Sequence, residues 1–231
     1  MSFRRYLRLK EPYTGAGDEN VSGNGSIMRL CPVPILYHDD EALALEVSAK
    51  QSLVTHQGKE AAECCRLMAH LILRGLHGEP LRSALDNLGA TFASPVESVQ
   101  QLARSEQEGE NPDRDWRWKI DGQYKFSPGR AKSNPGYIGS YAMDAMAMAL
   151  NVLWNTKSFG EAVIRIVNLR GDSDSTGAVL GQIAGAFYGV DSIPRKWIET
   201  VAEWDRFTIP LRAYMLVNKH FIPRVKPNDE Q

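Results

Sequence analysis

Apolar positions along this chain recur mostly at helical period. Residues 59–77, KEAAECCRLMAHLILRGLH, place apolar side chains near helical spacing and then meet Gly78 and Pro80, predicting a helix with a defined stop. Ahead of it, Asp39 and Asp40 stand where a cap belongs, before a segment carrying Leu43, Leu45, Val47 and Leu53. Residues 136–156, GYIGSYAMDAMAMALNVLWNT, are apolar nearly all round, the pattern of a helix enclosed by its neighbours. Shorter helices are predicted over 79–88 and 95–107, and further ones over 159–168, 176–190, 194–204 and 207–219. Strand-like alternation is almost absent, and no repeat of fixed period runs through the chain. The pattern predicts an all-α protein with one domain over 1–231.

Two stretches break the helical rhythm. Residues 11–26, EPYTGAGDENVSGNGS, are rich in Gly, Asn, Asp and Ser and read as loop. Residues 105–135 are polar, carry four aromatics without a period, and read as a surface loop or lid.

Composition narrows the function classes. Of 231 residues, 43% are hydrophobic and 24% charged, values ordinary for a soluble globular protein. A net charge of −1 gives no long-range pull on nucleic acid or anionic lipid, so an anionic ligand needs a local site. The cysteines Cys31, Cys64 and Cys65 fit neither a disulfide framework nor zinc spacing, and favour a reducing, cytoplasmic setting. The opening MSFRRYLRLK lacks the apolar centre of a secretory leader, and no apolar run is long enough to span a bilayer.

The segment GDSDSTG at 171–177 changes the picture. Asp172, Asp174 and Ser175 fall just before or within the first turn of a helix, where carboxylates suit the exposed N–H groups. A cap needs only one such residue. Two carboxylates two positions apart, with hydroxyls beside them, repel unless solvent or a cation separates them, and oxygen-only donors select Mg2+, Mn2+ or Ca2+. An EF-hand reading fails because the twelfth loop position, which needs a bidentate glutamate, is Ile183. A phosphatase of the D-x-D-x-T type is a weaker alternative, since Arg170 and Gly171 precede the motif and its flanks read helical.

Four segments in order resemble the ADP-ribosylglycohydrolase family: GNGSIMRLCPVPI at 23–35, THQGKEA at 55–61, NPGYIGSYAMDAMAMAL at 134–150, and NLRGDSDSTGAVLGQIAGAFYGVDSIPRKW at 168–197. The resemblance implies a single-domain orthogonal helical bundle. It implies hydrolysis of the glycosidic bond joining ADP-ribose to a protein side chain or related acceptor, at a centre of two Mg2+ or Mn2+ ions. Carried over by position, Asp172 and Asp174 are catalytic and, with Ser175, ligate metal. Asn24, Gly25, Ser26, Met28, His56, Tyr137 and Gly171 bind substrate, with the Gly23–Ser26 backbone close to the diphosphate. Arg29 pairs either with phosphate or, the favoured reading, with a structural carboxylate. Tyr137 is either near the ribose or simply core. The glycines at 177, 181, 185 and 189 lie along one helix face and suggest close helix packing that holds the acidic end rigid.

One departure bears on activity. Family members carry a further acidic region and a T-D-D-[TS] helix start ahead of the substrate loop, and nothing before Gly23 matches either. The expectation is a site with half its metal ligands. An alternative function follows, a catalytically silent ADP-ribose-binding or structural relative. A face left uncovered by the absent helices would favour self-association or a partner chain.

Overall fold

The structure, a computed structural model, describes residues 2–10, 22–107, 109–110, 114–120 and 137–219. Its α-helices in chain order are α1 (Ser2–Leu9), α2 (Pro32–Leu36), α3 (Glu41–Leu53), α4 (Lys59–Leu76), α5 (Leu81–Asp86), α6 (Leu88–Thr91), α7 (Glu97–Arg104), α8 (Ala142–Trp154), α9 (Phe159–Val167), α10 (Ser173–Tyr188), α11 (Arg195–Asp205) and α12 (Thr208–Val217). No strand occurs among the described residues; the nearest things to a sheet are isolated antiparallel bridges between Gly23 and Tyr141 and between Gln107 and Asp115. The all-α expectation holds.

Helix α8 is the centre. Every residue from Ala142 to Leu153 is buried, Asp144 and Asn151 included, as its nearly all-apolar sequence requires. Helices α4 and α10 pack on it and on each other, α3 lies along α4, and α9 lies along α10. Their inward side chains form one continuous apolar cluster that includes Leu67, Met68, Leu71, Met146, Leu150, Leu180 and Ile183. Burial of each Leu or Met contributes about 1.5–3 kcal/mol before entropy is counted.

Several boundaries differ from the sequence pattern for local reasons. The expected helix over 79–88 is split into α5 and α6 at Asn87. Helix α8 starts at Ala142 rather than at 136, because the chain just before it runs alongside the glycine loop. There the Asn24 N–H donates to Ser140 O at 2.9 Å and the Ala142 N–H to Ser22 O at 2.9 Å. Helix α2 went unread because two prolines look like breakers, yet a proline in the first turn loses no intrahelical bond. Asp40 accepts from the Leu43 N–H at 3.0 Å and caps α3, as expected.

The surface-loop reading of 105–135 needs correction where the chain is described. Trp116 and Trp118 are fully buried, the Trp118 indole donates to Leu102 O at 2.7 Å, and the Asn151 amide donates to Trp118 O at 2.9 Å. Residues 114–120 are therefore anchored in the core, while 108, 111–113 and 121–136 lie outside the described residues.

The glycine stripe of α10 also departs from expectation. A Cβ at Gly181, Gly185 or Gly189 would meet nothing within 4 Å, and one at Gly177 would only brush Val167 at 3.3 Å. The close helix contact comes instead from Gly75 of α4, where a Cβ would lie 3.0 Å from the Ala186 backbone. Gly177 and Gly181 line an open apolar groove of about 670 Å³ whose other walls include Phe159, Trp197, Phe207 and Ile209. Beyond it, α12 buries no residue, and Trp204 is 88% and Phe207 64% exposed.

Candidate functional site

Three pieces of chain converge at the N-terminal end of α10: the loop Ser22–Leu30, the extended segment Tyr137–Tyr141, and the turn Arg170–Asp172. Arg170 and Gly171 both have left-handed backbones, at φ 69° each, which swings the chain out of α9 and into α10. Gly171 is obligatory there, because a Cβ would sit 2.3 Å from Ile138 O. The Asp172 N–H then donates to Ile138 O at 2.8 Å and seats the start of α10 against the extended segment.

Asn24 ties the remaining piece in. Its side-chain amide donates to Asp172 Oδ2 at 2.8 Å and to Gly139 O at 2.8 Å. One buried amide thus links the glycine loop, the extended segment and the first carboxylate. Gly139, at φ 89°, is the partner that keeps this arrangement open, since a Cβ would lie 2.6 Å from Thr176 Cγ2. Thr176 is buried and donates its hydroxyl to Asp172 O at 3.0 Å, so it shapes the turn from within.

The carboxylates interact directly. Asp174 is exposed, and its carboxyl is held below the ordinary range, first by the Ser175 N–H and then by its hydrogen bond with Asp172. The Tyr137 hydroxyl is pushed up, first by the charge of Asp172, then by desolvation and by Asp174. Tyr137 is 43% exposed and faces both acids, so it belongs to the site and not to the core. Ser175 is half-buried beside them.

On the other side of the loop, the His56 ring lies against Gly23 and Gly25. A Cβ at Gly25 would fall 2.6 Å from His56 Cε1 and 2.8 Å from Nε2, which is why the ring can seat there only over glycine. Desolvation, then the charge of Arg29, lowers the His56 pKa. The Thr55 hydroxyl is hydrogen-bonded to His56 Nδ1 at 2.8 Å and accepts from Arg29 Nη2 at 2.7 Å. Arg29 Nε donates to Gln51 Oε1 at 3.2 Å, and its Nη2 donates to Gln51 O at 3.3 Å. Among the described residues the favoured pairing of Arg29 with a structural carboxylate does not occur: all three bonds end on neutral oxygens.

Two further placements differ from a simple motif reading. Ser26 is fully buried, with its hydroxyl near the Cys65 thiol, so its side chain looks into the core and only its backbone borders the loop. Burial pushes that thiol up to about 11. Met28 is exposed, but its carbonyl is held from behind by Gln182. Sequence reasoning missed Gln182. Its Oε1 accepts from the Cys31 N–H at 2.7 Å, and its Nε2 donates to Met28 O at 2.9 Å and Ile27 O at 3.3 Å. A lone amide within the apolar run GAVLGQIAGAFY was the available signal.

The donor set suits a hard cation in kind but not in number. Asp172, Asp174 and Ser175 offer only oxygens, as Mg2+ or Mn2+ requires. One oxygen of Asp172 already accepts from Asn24. Among the described residues no group of three or more His, Cys, Asp or Glu side chains comes together.

A sequence profile described as ADP-ribosylglycohydrolase matches residues 1–221. The chain belongs to that family. It is 33% identical over 200 residues to ADP-ribosylarginine hydrolase Tri1 of Pseudomonas putida (strain GB-1), covering 85% of this chain and 47% of that protein. It is 25% identical over 195 residues to the ADP-ribosyl-[dinitrogen reductase] glycohydrolase of Rhodospirillum rubrum, covering 84% of this chain and 55% of the relative. A solved structure titled ADP-ribosylglycohydrolase-related protein complex superposes with a TM-score of 0.71 at 26% identity, over 94% of this chain and 66% of the other. This ADP-ribosylglycohydrolase chain therefore spans about half the length of the relatives it matches. None of its described helices is long and apolar enough to cross a membrane.

Proposed function

We propose that the chain binds ADP-ribose between its glycine loop and the start of α10, and that it serves hydrolysis of the glycosidic bond joining ADP-ribose to a protein side chain. The observation that carries this reading is the Asn24 amide, which makes the loop and the first carboxylate parts of one site. Glycosidic cleavage develops positive charge at the sugar's anomeric carbon. Asp174, with its pKa lowered, stays ionised through the neutral range and is a poor proton acceptor. Its part is to hold positive charge, next to the carboxyl group of Asp172 that the Asn24 amide fixes in place. Tyr137, kept protonated by those acids, retains a hydroxyl proton to donate. Asp172, Asp174 and Ser175 would hold a hard dication, whose contribution when bound is to orient the ribose hydroxyls.

A second reading is an ADP-ribose-binding relative without turnover, since among the described residues only Asp172, Asp174 and Ser175 gather as hard donors. One experiment separates the two. ADP-ribose with Mg2+ is expected to raise the melting temperature, corresponding to about 2.7 kcal/mol at a hundredfold excess over Kd. Asp172→Ala and Asp174→Ala are expected to abolish the rise. Release of ADP-ribose from an ADP-ribosylated arginine substrate assigns hydrolysis; stabilisation without release assigns binding alone. No stabilisation in the unaltered protein overturns both.

A further inference from the structure

Two amide side chains join the glycine loop to α10. Asn24 of the loop reaches Asp172 at the start of the helix. Gln182 works in the opposite direction, from the helix to the far end of the loop. It stands about two helical turns beyond Ser175, on the same side of α10 and roughly 10 Å further along its axis. Its amide is fully engaged. Oε1 accepts from the Cys31 N–H at 2.7 Å, and Nε2 donates to Ala178 O and to Met28 O at 2.9 Å each, with Ile27 O at 3.3 Å. These partners fix which way the amide faces, because an N–H must meet its oxygen and the carbonyls its nitrogen. The bond to Ala178 O, one turn back in α10, steadies the side chain before it meets the loop. Gln182 thus spans the turn Ile27–Cys31, whose Met28 side chain is exposed. Held at Asp172 alone, the loop could pivot about the Asn24 amide. Held at both ends, it lies at one distance from the helix that carries Asp174 and Ser175. An apolar residue at 182 would leave the Cys31 N–H and the Met28 carbonyl to find water, which opens the turn.

We propose that Gln182 is a positioning residue of this site. Its amide clasps the Ile27–Cys31 turn to α10 and so sets the distance between the glycine-loop backbone and the carboxylates at the start of that helix. The effect on ligand affinity rests on the ADP-ribose reading; the clasp itself does not.

The test reads the loop and the ligand separately on the full chain. Cys31 is half-buried in the turn, while Cys64 and Cys65 are buried in α4. Iodoacetamide labelling of each thiol, followed by mass spectrometry, therefore distinguishes release of the turn from opening of the fold. Calorimetry with ADP-ribose in Mg2+ gives the affinity. Gln182→Met, similar in length but without a polar group, is expected to speed Cys31 labelling about tenfold, to leave Cys64 and Cys65 protected, and to weaken ADP-ribose about tenfold. Ile183→Val, which trims the buried core from the same helix and keeps the amide, is expected to change neither. Gln182→Glu keeps the acceptor for the Cys31 N–H and loses the donors, so it carries the same comparison if Gln182→Met does not fold. Acid returns a donor to that carboxyl, so its Cys31 labelling, measured against wild type at each pH, is expected to slow toward the wild-type rate as pH falls. Cys31 labelling no faster in Gln182→Met than in Ile183→Val overturns the proposal. So does faster labelling of all three thiols together, which marks a role in the fold alone, or faster Cys31 labelling with ADP-ribose affinity unchanged. Faster Cys31 labelling in the variant of a wild type that binds no ADP-ribose upholds the clasp and removes the ADP-ribose reading.

Discussion

At the residue scale, the site depends on a few side chains whose neighbours restrict what they can do. His56 is the clearest case. Its ordinary pKa of 6.5 is lowered, first by desolvation and then by Arg29. The unfolded chain therefore takes up the proton more readily than the folded one. Stability tied to His56 is complete above pH 6.5 and is lost as pH falls through the lowered folded value. NMR titration of the ring is expected to give a midpoint below 6.5, moving upward in Arg29→Met as the neighbouring charge is removed. An unmoved midpoint in that variant would mean that Arg29 does not act on the ring. Asn24, Gly25, Gly171, Asp172 and Asp174 could be singled out in the sequence because each lies in a short motif that resembles the family's, and at Gly25 and Gly171 the structure leaves no room for a Cβ. Gln182 and the neutral partners of Arg29 were not legible. The first acts across 151 to 155 positions of sequence, and the second, Gln51 and Thr55, lie 22 and 26 positions from Arg29 with no motif to link them.

At the element scale, helices were readable from periodicity and their ends were not. Buried α8 and α4 were plain from composition. The split at Asn87 and the late start of α8 arise from contacts with distant segments that no local pattern encodes. Glycines show the same limit. The stripe on α10 suggested close packing, while the glycine that permits it is Gly75 on α4. This gives two expected outcomes of opposite sign. Gly181→Ala and Gly185→Ala, with open space for the added methyl, are expected to stabilise the protein by ~0.5–1 kcal/mol in urea denaturation. Gly75→Ala gains the same helix propensity but drives a methyl into the Ala186 backbone, and a net loss of about 1–2 kcal/mol is expected.

At the scale of the whole molecule, the surface is divided. It carries the polar site at the start of α10 and, beside α11 and α12, an apolar groove that Gly177 and Gly181 of α10 also line, with Trp204, Phe207, Ile209, Leu211 and Tyr214 all exposed. Apolar surface of that extent favours association. Sedimentation is expected to show self-association that rises with protein concentration, and the pair Trp204→Glu and Phe207→Glu is expected to reduce it. A strictly monomeric protein at high concentration would exclude this.

The Asn24–Asp172 bond joins positions 148 residues apart. During synthesis at ~5–20 residues per second, the loop leaves the ribosome about 7–30 s before the carboxylate it must meet. Through that interval its amide is hydrated, and the glycine loop has neither its partner helix nor its extended neighbour. The candidate site consequently cannot close until the start of α10 has been made. Closing it requires one long-range encounter between segments that the early helices α3 and α4 can only hold in readiness.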